Sequence, residues 1–152
     1  MRAHVQLKKL EHFDEAHPLP KYESLGAAGA DIRAMLGVGE SILIKPGARV
    51  LVPTGLAMAV PQGYECQVRP RSGLSFKTGL MVANSPGTID SDYRGEVKII
   101  LANLGDRDEE IKHGDRVAQL VFAKVPQTEF IIVQELDDTL RGSAGFGSTG
   151  ML

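Results

Sequence analysis

Pro61-Gln62-Gly63-Tyr64-Glu65-Cys66-Gln67-Val68-Arg69 is a turn followed by a strand in the plainest form this chain offers. Tyr64, Cys66 and Val68 alternate with Glu65, Gln67 and Arg69, and a period of two places one set on each face of an extended chain. The unit recurs in both directions along the sequence. Lys45-Pro46-Gly47, Pro53-Thr54-Gly55, Ser85-Pro86-Gly87, Arg94-Gly95 and His113-Gly114-Asp115 punctuate the chain at short intervals. Ser41–Lys45, Arg49–Val60, Tyr64–Arg69, Leu80–Ala83, Glu96–Asn103, Arg116–Val125 and Phe130–Gln134 lie beside them as strand candidates. Many short strands between Gly/Pro turns predict an all-β sandwich, jelly roll or barrel. The best helix candidate is Ser72–Thr78, with Ser72 as N-cap and Gly79 as stop. Several strands, Val97–Leu101 and Val117–Val125 among them, are apolar on both faces, which raises the prospect that sister subunits cover part of the surface.

The 152 residues are expected to form one domain, with no internal repeat or interdomain linker. A net charge of −2 argues against a nucleic-acid phosphate footprint, though a few arginines suffice for a local phosphate cluster. The single Cys66 has no internal disulfide partner, so a reducing cytoplasm is expected. No apolar run approaches the ~20 residues of a membrane span, and Met1–Lys9 lacks the apolar core of a signal peptide. His4, His12, His17 and His113 show no metal-ligand spacing in sequence.

Chemistry concentrates in a few segments. Asn84–Asn103 has the look of a β-hairpin whose tip carries more than a turn requires: Asp90, a carboxylate able to take a proton from water, and Tyr93, a flat wall. Pro70-Arg71-Ser72-Gly73-Leu74 follows a strand and opens the short helix; by itself it reads first as an ordinary capped turn, although free N–H groups, Arg71 and Ser72 also suit a phosphate. Asp31, within Ala28–Ala34, can order metal-bound water or sit in a solvated turn. Gln119 interrupts the apolar run of Gly114–Phe122, and its amide needs a partner, either backbone or a water or phosphate oxygen. Arg141–Gly150 is too rich in Gly and Ser to hold a fixed conformation alone. It reads as a frayed terminus or as a mobile arm, spanning 141–152, that brings Arg141 to phosphate and Phe146 to a stacking partner.

These five segments resemble, in order, the five motifs of the trimeric deoxyuridine triphosphatases (dUTPases), bacterial type: Ala28–Ala34, Pro70–Leu74, Gly87–Gly95, Gly114–Phe122 and Arg141–Gly150. Pro53-Thr54-Gly55-Leu56 also resembles a linking segment of the bacterial members. The resemblance implies a jelly-roll-like subunit in a cytoplasmic homotrimer, with active sites between subunits and the tail of one closing over a site built by the other two. It implies hydrolysis of dUTP to dUMP and pyrophosphate, which supplies dUMP for thymidylate synthesis and keeps uracil out of DNA. Magnesium is the implied cofactor, touched by Asp31 through water. Asp90 would activate water for attack on the α-phosphorus. Arg71, Ser72, Gly73 and Gln119 would bind phosphate oxygens. Asn84 and the backbone of Thr88, Ile89, Asp90 and Lys98 would read uracil, and Tyr93 would leave no space for a ribose 2′-hydroxyl. Phe146 would stack on uracil while Arg141, Ser143 and Gly145 reach the outer phosphates. Ser75–Gly79 departs from the His-rich or Ala-Arg-Lys sequence of many members, so Phe76, Lys77 and Thr78 receive no role.

Two rivals are set against this reading. A dCTP deaminase shares the implied fold but carries a glutamate three residues before the strand's asparagine, where this chain has Ile100. A silent nucleotide-binding trimer would need no water-activating carboxylate at Asp90.

Overall fold

The computed structural model describes residues 3–143. The chain order is β1 (Gln6–Lys9), β2 (Ala30–Arg33), β3 (Ser41–Ile44), β4 (Arg49–Ala59), β5 (Tyr64–Arg69), α1 (Ser72–Lys77), β6 (Leu80–Val82), β7 (Gly87–Ile89), β8 (Glu96–Asn103), β9 (Glu109–Lys112) and β10 (Arg116–Lys124). Two four-stranded antiparallel sheets, ordered β1-β4-β8-β6 and β2-β10-β5-β7, are joined by a two-stranded β3-β9 ribbon. The expected all-β class is borne out: among the described residues ten strands pair in antiparallel sheets and one short helix interrupts them. Among the described residues no helix is long and apolar enough to cross a membrane.

Period-two patterning fills the core. Ile32, Val52, Leu56, Cys66, Leu80, Ile99, Leu101, Val117 and Leu120 are all buried. Burial pushes the Cys66 thiol up to about 12, so it is an inert apolar filler rather than a nucleophile. Asn103, fully buried, is the polar hub: its Nδ2 donates to the carbonyls of Ile44 and Arg107, both at 2.8 Å, and its Oδ1 accepts the Gly105 N–H at 2.9 Å. Burying an amide side chain is tolerable only with such partners.

The structure corrects the sequence reading in several places. Asn84–Asn103 is not a hairpin. β7 pairs with β5 and β8 pairs with β4 and β6, so the segment is a corner that carries the chain from one sheet to the other. The turn signals are real, but the residues flanking them find different partners. Phe130–Gln134 forms no strand in this chain, and its apolar side chains are exposed. Ser72 is the first helical residue, and Arg71 stands at the N-cap without a side-chain capping bond. Strand β8 is not apolar on both faces: Val97, Ile99 and Leu101 are buried while Lys98 is exposed and Ile100 half-buried. β1, β2, β7 and β9 lie outside the strands expected from the sequence, β1 and β9 being largely charged or polar.

One irregularity positions the site. Pairing of β4 with β8 slips between Pro53 and Ala57, where four residues of β4 span the space of two on β8. The ladder's missing acceptor is a side chain: Glu96 Oε1 takes the N–H of Gly55 at 2.9 Å and of Thr54 at 3.2 Å. Gly55 has φ +66, and a Cβ there would meet the Phe13 Cα at 3.0 Å, so this bulge requires glycine.

Candidate active site

Where β7 leaves one sheet and β8 enters the other, the sheets part around a pocket of about 300 Å³. Thr88, Ile89, Asp90, Tyr93 and Lys98 line it, with Leu51, Glu96, Val97 and Ile100 behind them. Two free backbone edges border this space. Among the described residues β7 is the outer strand of its sheet, bonded to β5, and β6 pairs with β8 over Leu101–Asn103, with the Ala83 N–H reaching the Ile100 carbonyl at 2.8 Å. Free strand edges present a fixed ladder of N–H donors and C=O acceptors to whatever enters.

Tyr93 is held rather than dangling. Its hydroxyl donates to the Glu96 carbonyl at 3.0 Å, and its ring lies over Gly95, where a Cβ would come within 2.3 Å of the Tyr93 Oη. A side chain at 95 would therefore displace the wall. The Tyr93 N–H closes a turn onto the Asp90 carbonyl at 3.2 Å, and Arg94 ties the same turn to the carbonyls of Ser91 and Tyr93. Asp90 is exposed at the rim. Below it, burial alone would raise the Glu96 carboxyl, but the Gly55 N–H and then His12 outweigh burial and hold it below its ordinary value. His12 Nε2 lies 2.8 Å from Glu96 Oε1, and Lys98 Nζ lies 3.6 Å from Glu96 Oε2.

The candidate phosphate residues gather elsewhere. Asp31 on β2 accepts from Arg71 Nε through Oδ1 at 3.0 Å and from Arg116 through Oδ2 at 3.1 Å. Arg71 also donates to the Arg116 carbonyl at 3.2 Å. Arg116 was not singled out from sequence, although it stands inside the Gly114–Phe122 segment; its pairing with Asp31 appears only when β2 and β10 are set side by side. Gln119 faces Asp31 on one side and Arg69 on the other, and its amide donates to the Pro70 carbonyl at 2.8 Å. Its Oε1 occupies the space a Gly29 side chain would need, 2.2 Å from the Cβ position. Ser72 and Gly73 are exposed at the start of α1. Asn84 lies in the turn before β7, with its amide over Gly87. Arg141 and Ser143 follow β10 near a turn in which the Gly142 N–H bonds the Thr139 carbonyl at 3.0 Å. Gly145 and Phe146 lie outside the described residues.

Register separates the two groups. Ile89 faces Cys66, and Arg69 is three residues further along β5, so the ends are roughly 10 Å apart at ~3.4 Å per residue. Asp90 departs beyond one end and Arg71 beyond the other.

The family model for dUTPase matches residues 15–150. The deoxyuridine 5'-triphosphate nucleotidohydrolase of Roseobacter denitrificans is 57% identical over 146 residues, covering 96% of this chain and 95% of that protein. The protein of the same name from Bdellovibrio bacteriovorus is 55% identical, again over 96% and 95% of the two chains. A dUTPase of Staphylococcus bacteriophage 80alpha, solved with dUpNHpp, aligns with a TM-score of 0.85 at 26% identity over 97% of this chain and 99% of that one. A dUTPase of phage phi11 of S. aureus, described with a structural Mg(II) ion, aligns with a TM-score of 0.75 at 24% identity over 89% and 99%, a likeness of fold. This chain belongs to the dUTPase family of dUTP-hydrolysing enzymes.

Proposed function

We propose that the chain converts dUTP to dUMP and pyrophosphate in sites shared between copies, with Asp90 as the base. The observation that carries this reading is the shared pocket of Asp90 and Tyr93 beneath two free strand edges. The edges at Thr88–Asp90 and Lys98 suit the alternating donors and acceptors of uracil. Cytosine presents the opposite pattern and would leave those groups unpaired, which discriminates strongly. Asn84 adds a side-chain amide beside β7. Tyr93, pinned at its hydroxyl, packs against the deoxyribose and excludes a 2′-hydroxyl.

Asp90 takes a proton from the water that attacks the α-phosphorus, and pyrophosphate leaves in line with it. Arg71, Ser72, Gly73 and Gln119 bind phosphate oxygens, with Arg71 offering the planar fork that phosphate recognition favours. The Asp31 carboxylate gives one bond from each oxygen to an arginine and retains lone pairs for water, so the donor set fits a magnesium ion contacted through water and not gripped directly. Magnesium, when bound, neutralises and orients the triphosphate.

The separation of Asp90 from Arg71 supports a site completed by another copy, in a homotrimer. So does Phe130–Gln134, whose exposed Phe130, Ile131 and Ile132 have strand character without a strand in this chain. An apolar groove of about 660 Å³ lined by Val5, Leu7, Tyr22, Tyr64 and Phe122 offers further surface for a neighbour. The arm carrying Arg141, Ser143, Gly145 and Phe146 closes over nucleotide in a neighbouring site. The single buried cysteine supports a reducing, cytoplasmic setting.

Ile100 lines the pocket where a deaminase would need an acid, which favours phosphorus chemistry over loss of ammonia. The test is incubation with magnesium and each deoxynucleotide, reading pyrophosphate and ammonia. Pyrophosphate from dUTP alone is expected. Ammonia from dCTP would move the chain to the deaminase reading, and no turnover would leave a silent binder.

A further inference from the structure

Sequence spacing gave no metal site, yet the fold brings one carboxylate and two imidazoles together outside the nucleotide pocket. A ligand atom from each of Asp14, His17 and His113 lies within 4.8 Å of the other two. His113 Nε2 is 2.9 Å from Asp14 Oδ2, and His17 Nε2 is 3.9 Å from the same oxygen. The two rings meet edge to face with centroids 5.0 Å apart. We propose that Asp14, His17 and His113 form a binding site for a borderline divalent cation of the zinc class, with water as the fourth ligand.

Three features make this more than a surface cluster. Its backbone is fixed: the His17 N–H bonds the Asp14 carbonyl at 3.0 Å, and the His113 N–H bonds the Glu40 carbonyl at 3.0 Å. The third face is shaped by Gly114, at φ +82, where a Cβ would strike His17 Cε1 at 2.3 Å, so glycine admits the ring. The His113 side chain is only 9% exposed, and its Nδ1 is buried with no partner among the described residues, although such nitrogens in folded proteins are nearly always satisfied. A half-turn of the ring exchanges Nδ1 with Cδ2 and Nε2 with Cε1, so the ring flip sets which nitrogen is offered to an ion.

Two imidazoles and a carboxylate form the ligand set of an open zinc site, with bonds of ~2.0–2.1 Å to nitrogen and a free position for water. The ligand atoms need to close to ~3.3 Å from one another for tetrahedral geometry, within reach of side-chain torsions. Asp14 is already oriented as a ligand, its Oδ1 accepting the Ala16 N–H at 2.9 Å. Access comes through an open pocket of about 530 Å³ shared by Asp14 and His113, whose rim carries Glu11, His12 and Glu40. Magnesium, which prefers an all-oxygen shell, is a poor competitor here. A bound ion would clamp the β1–β2 loop onto the turn before β10, whose Gly114 carbonyl already accepts from Arg33 at 2.6 Å.

The experiment uses the full chain stripped by a chelator. Zinc is titrated against a chromophoric chelator, and cobalt is added separately as a spectroscopic probe. One zinc per chain and the intense visible absorption of four-coordinate cobalt are expected, with a zinc-dependent rise in melting temperature. His17→Gln should weaken zinc by about 100-fold or more and abolish the cobalt band, while its melting temperature in chelator and its dUTP hydrolysis with magnesium stay unchanged. His113→Gln should do the same to zinc; if it fails to fold, His17→Gln alone carries the test. Substoichiometric zinc in the unmodified chain, or equal affinity in His17→Gln, would overturn the site. Excess magnesium should leave the cobalt spectrum intact, and its displacement by magnesium would also count against the proposal.

Discussion

The base pocket and the phosphate cluster belong to one chain but are built on opposite principles. At the β7–β8 corner the proposed recognising groups are backbone edges and a tyrosine pinned by its own hydroxyl, a surface fixed without any ligand. In the cluster the proposed recognising groups are charged side chains already neutralising one another, with Asp31 between Arg71 and Arg116. The first is a rigid template and the second a set of contacts to be exchanged. If the proposed roles hold, specificity for the base belongs to the fold, whereas phosphate binding has to redistribute an internal ion-pair network. On the proposed reading, that division is what a neighbouring copy would complete, since the template and the cluster leave opposite ends of the β5–β7 pair.

The sharpest way to test the division is to remove chemistry from the template without changing its shape. Asp90→Asn keeps the pocket and loses the base, so turnover should fall by about 10²–10⁴-fold while dUTP analogue affinity changes little. Pyrophosphate release and calorimetric titration check the two halves, and a variant with normal turnover would remove Asp90 as the base. Arg71→Ala acts at the other end. It should raise KM for dUTP by about ten- to a hundred-fold, the scale of one or two charge-assisted bonds, and leave deoxyuridine binding untouched. Equal losses for dUTP and deoxyuridine would show that the regions are not separate.

A smaller effect probes the tyrosine wall. Gly95→Ala places a methyl 2.3 Å from the Tyr93 hydroxyl oxygen, so the ring must move. The preference for dUTP over UTP should drop by about tenfold, roughly 1.4 kcal/mol, with hydrolysis of dUTP less affected. Comparing kcat/KM for the two nucleotides measures it, and an unchanged ratio would detach the tyrosine from sugar selection.

The sequence made these groups visible to different extents. Strands with apolar alternation, such as Tyr64–Arg69, matched residue for residue because burial on one face is the signal itself. β1 and β9 were invisible: QLKK and EEIK hold their places mainly by pairing with β4 and β3, and Ile111 is their one side chain in the core. The Asn84–Asn103 segment showed its turns and its chemistry, but no local pattern says that its two halves bond to different sheets. The same limit hid Arg116 and the meeting of Asp14, His17 and His113, since both depend on which strands lie side by side. Phe130–Gln134 is the converse case, a strand pattern with no strand in its own chain.

Glu96 offers the smallest effect and the one that joins template to scaffold. Its carboxylate stands in for a ladder acceptor at the β4 bulge and also lines the base pocket. Because the folded state holds it below its ordinary 4.5, the unfolded chain is the stronger proton binder on acidification. Its stabilising share is complete above about pH 4.5 and is lost as the pH falls through the lower folded value. Glu96→Gln keeps the shape and removes the charge, so it should cost about 1–2 kcal/mol at neutral pH. Urea midpoints measured from neutral pH down into the acid range should show the gap between the two proteins closing as the carboxylate takes up its proton. A gap that stayed constant would mean that the Thr54 and Gly55 amides do not need the charge. The bulge would then be held by Thr54, whose hydroxyl bonds the Val97 carbonyl, and by Leu10, whose N–H bonds the Gly55 carbonyl at 2.8 Å.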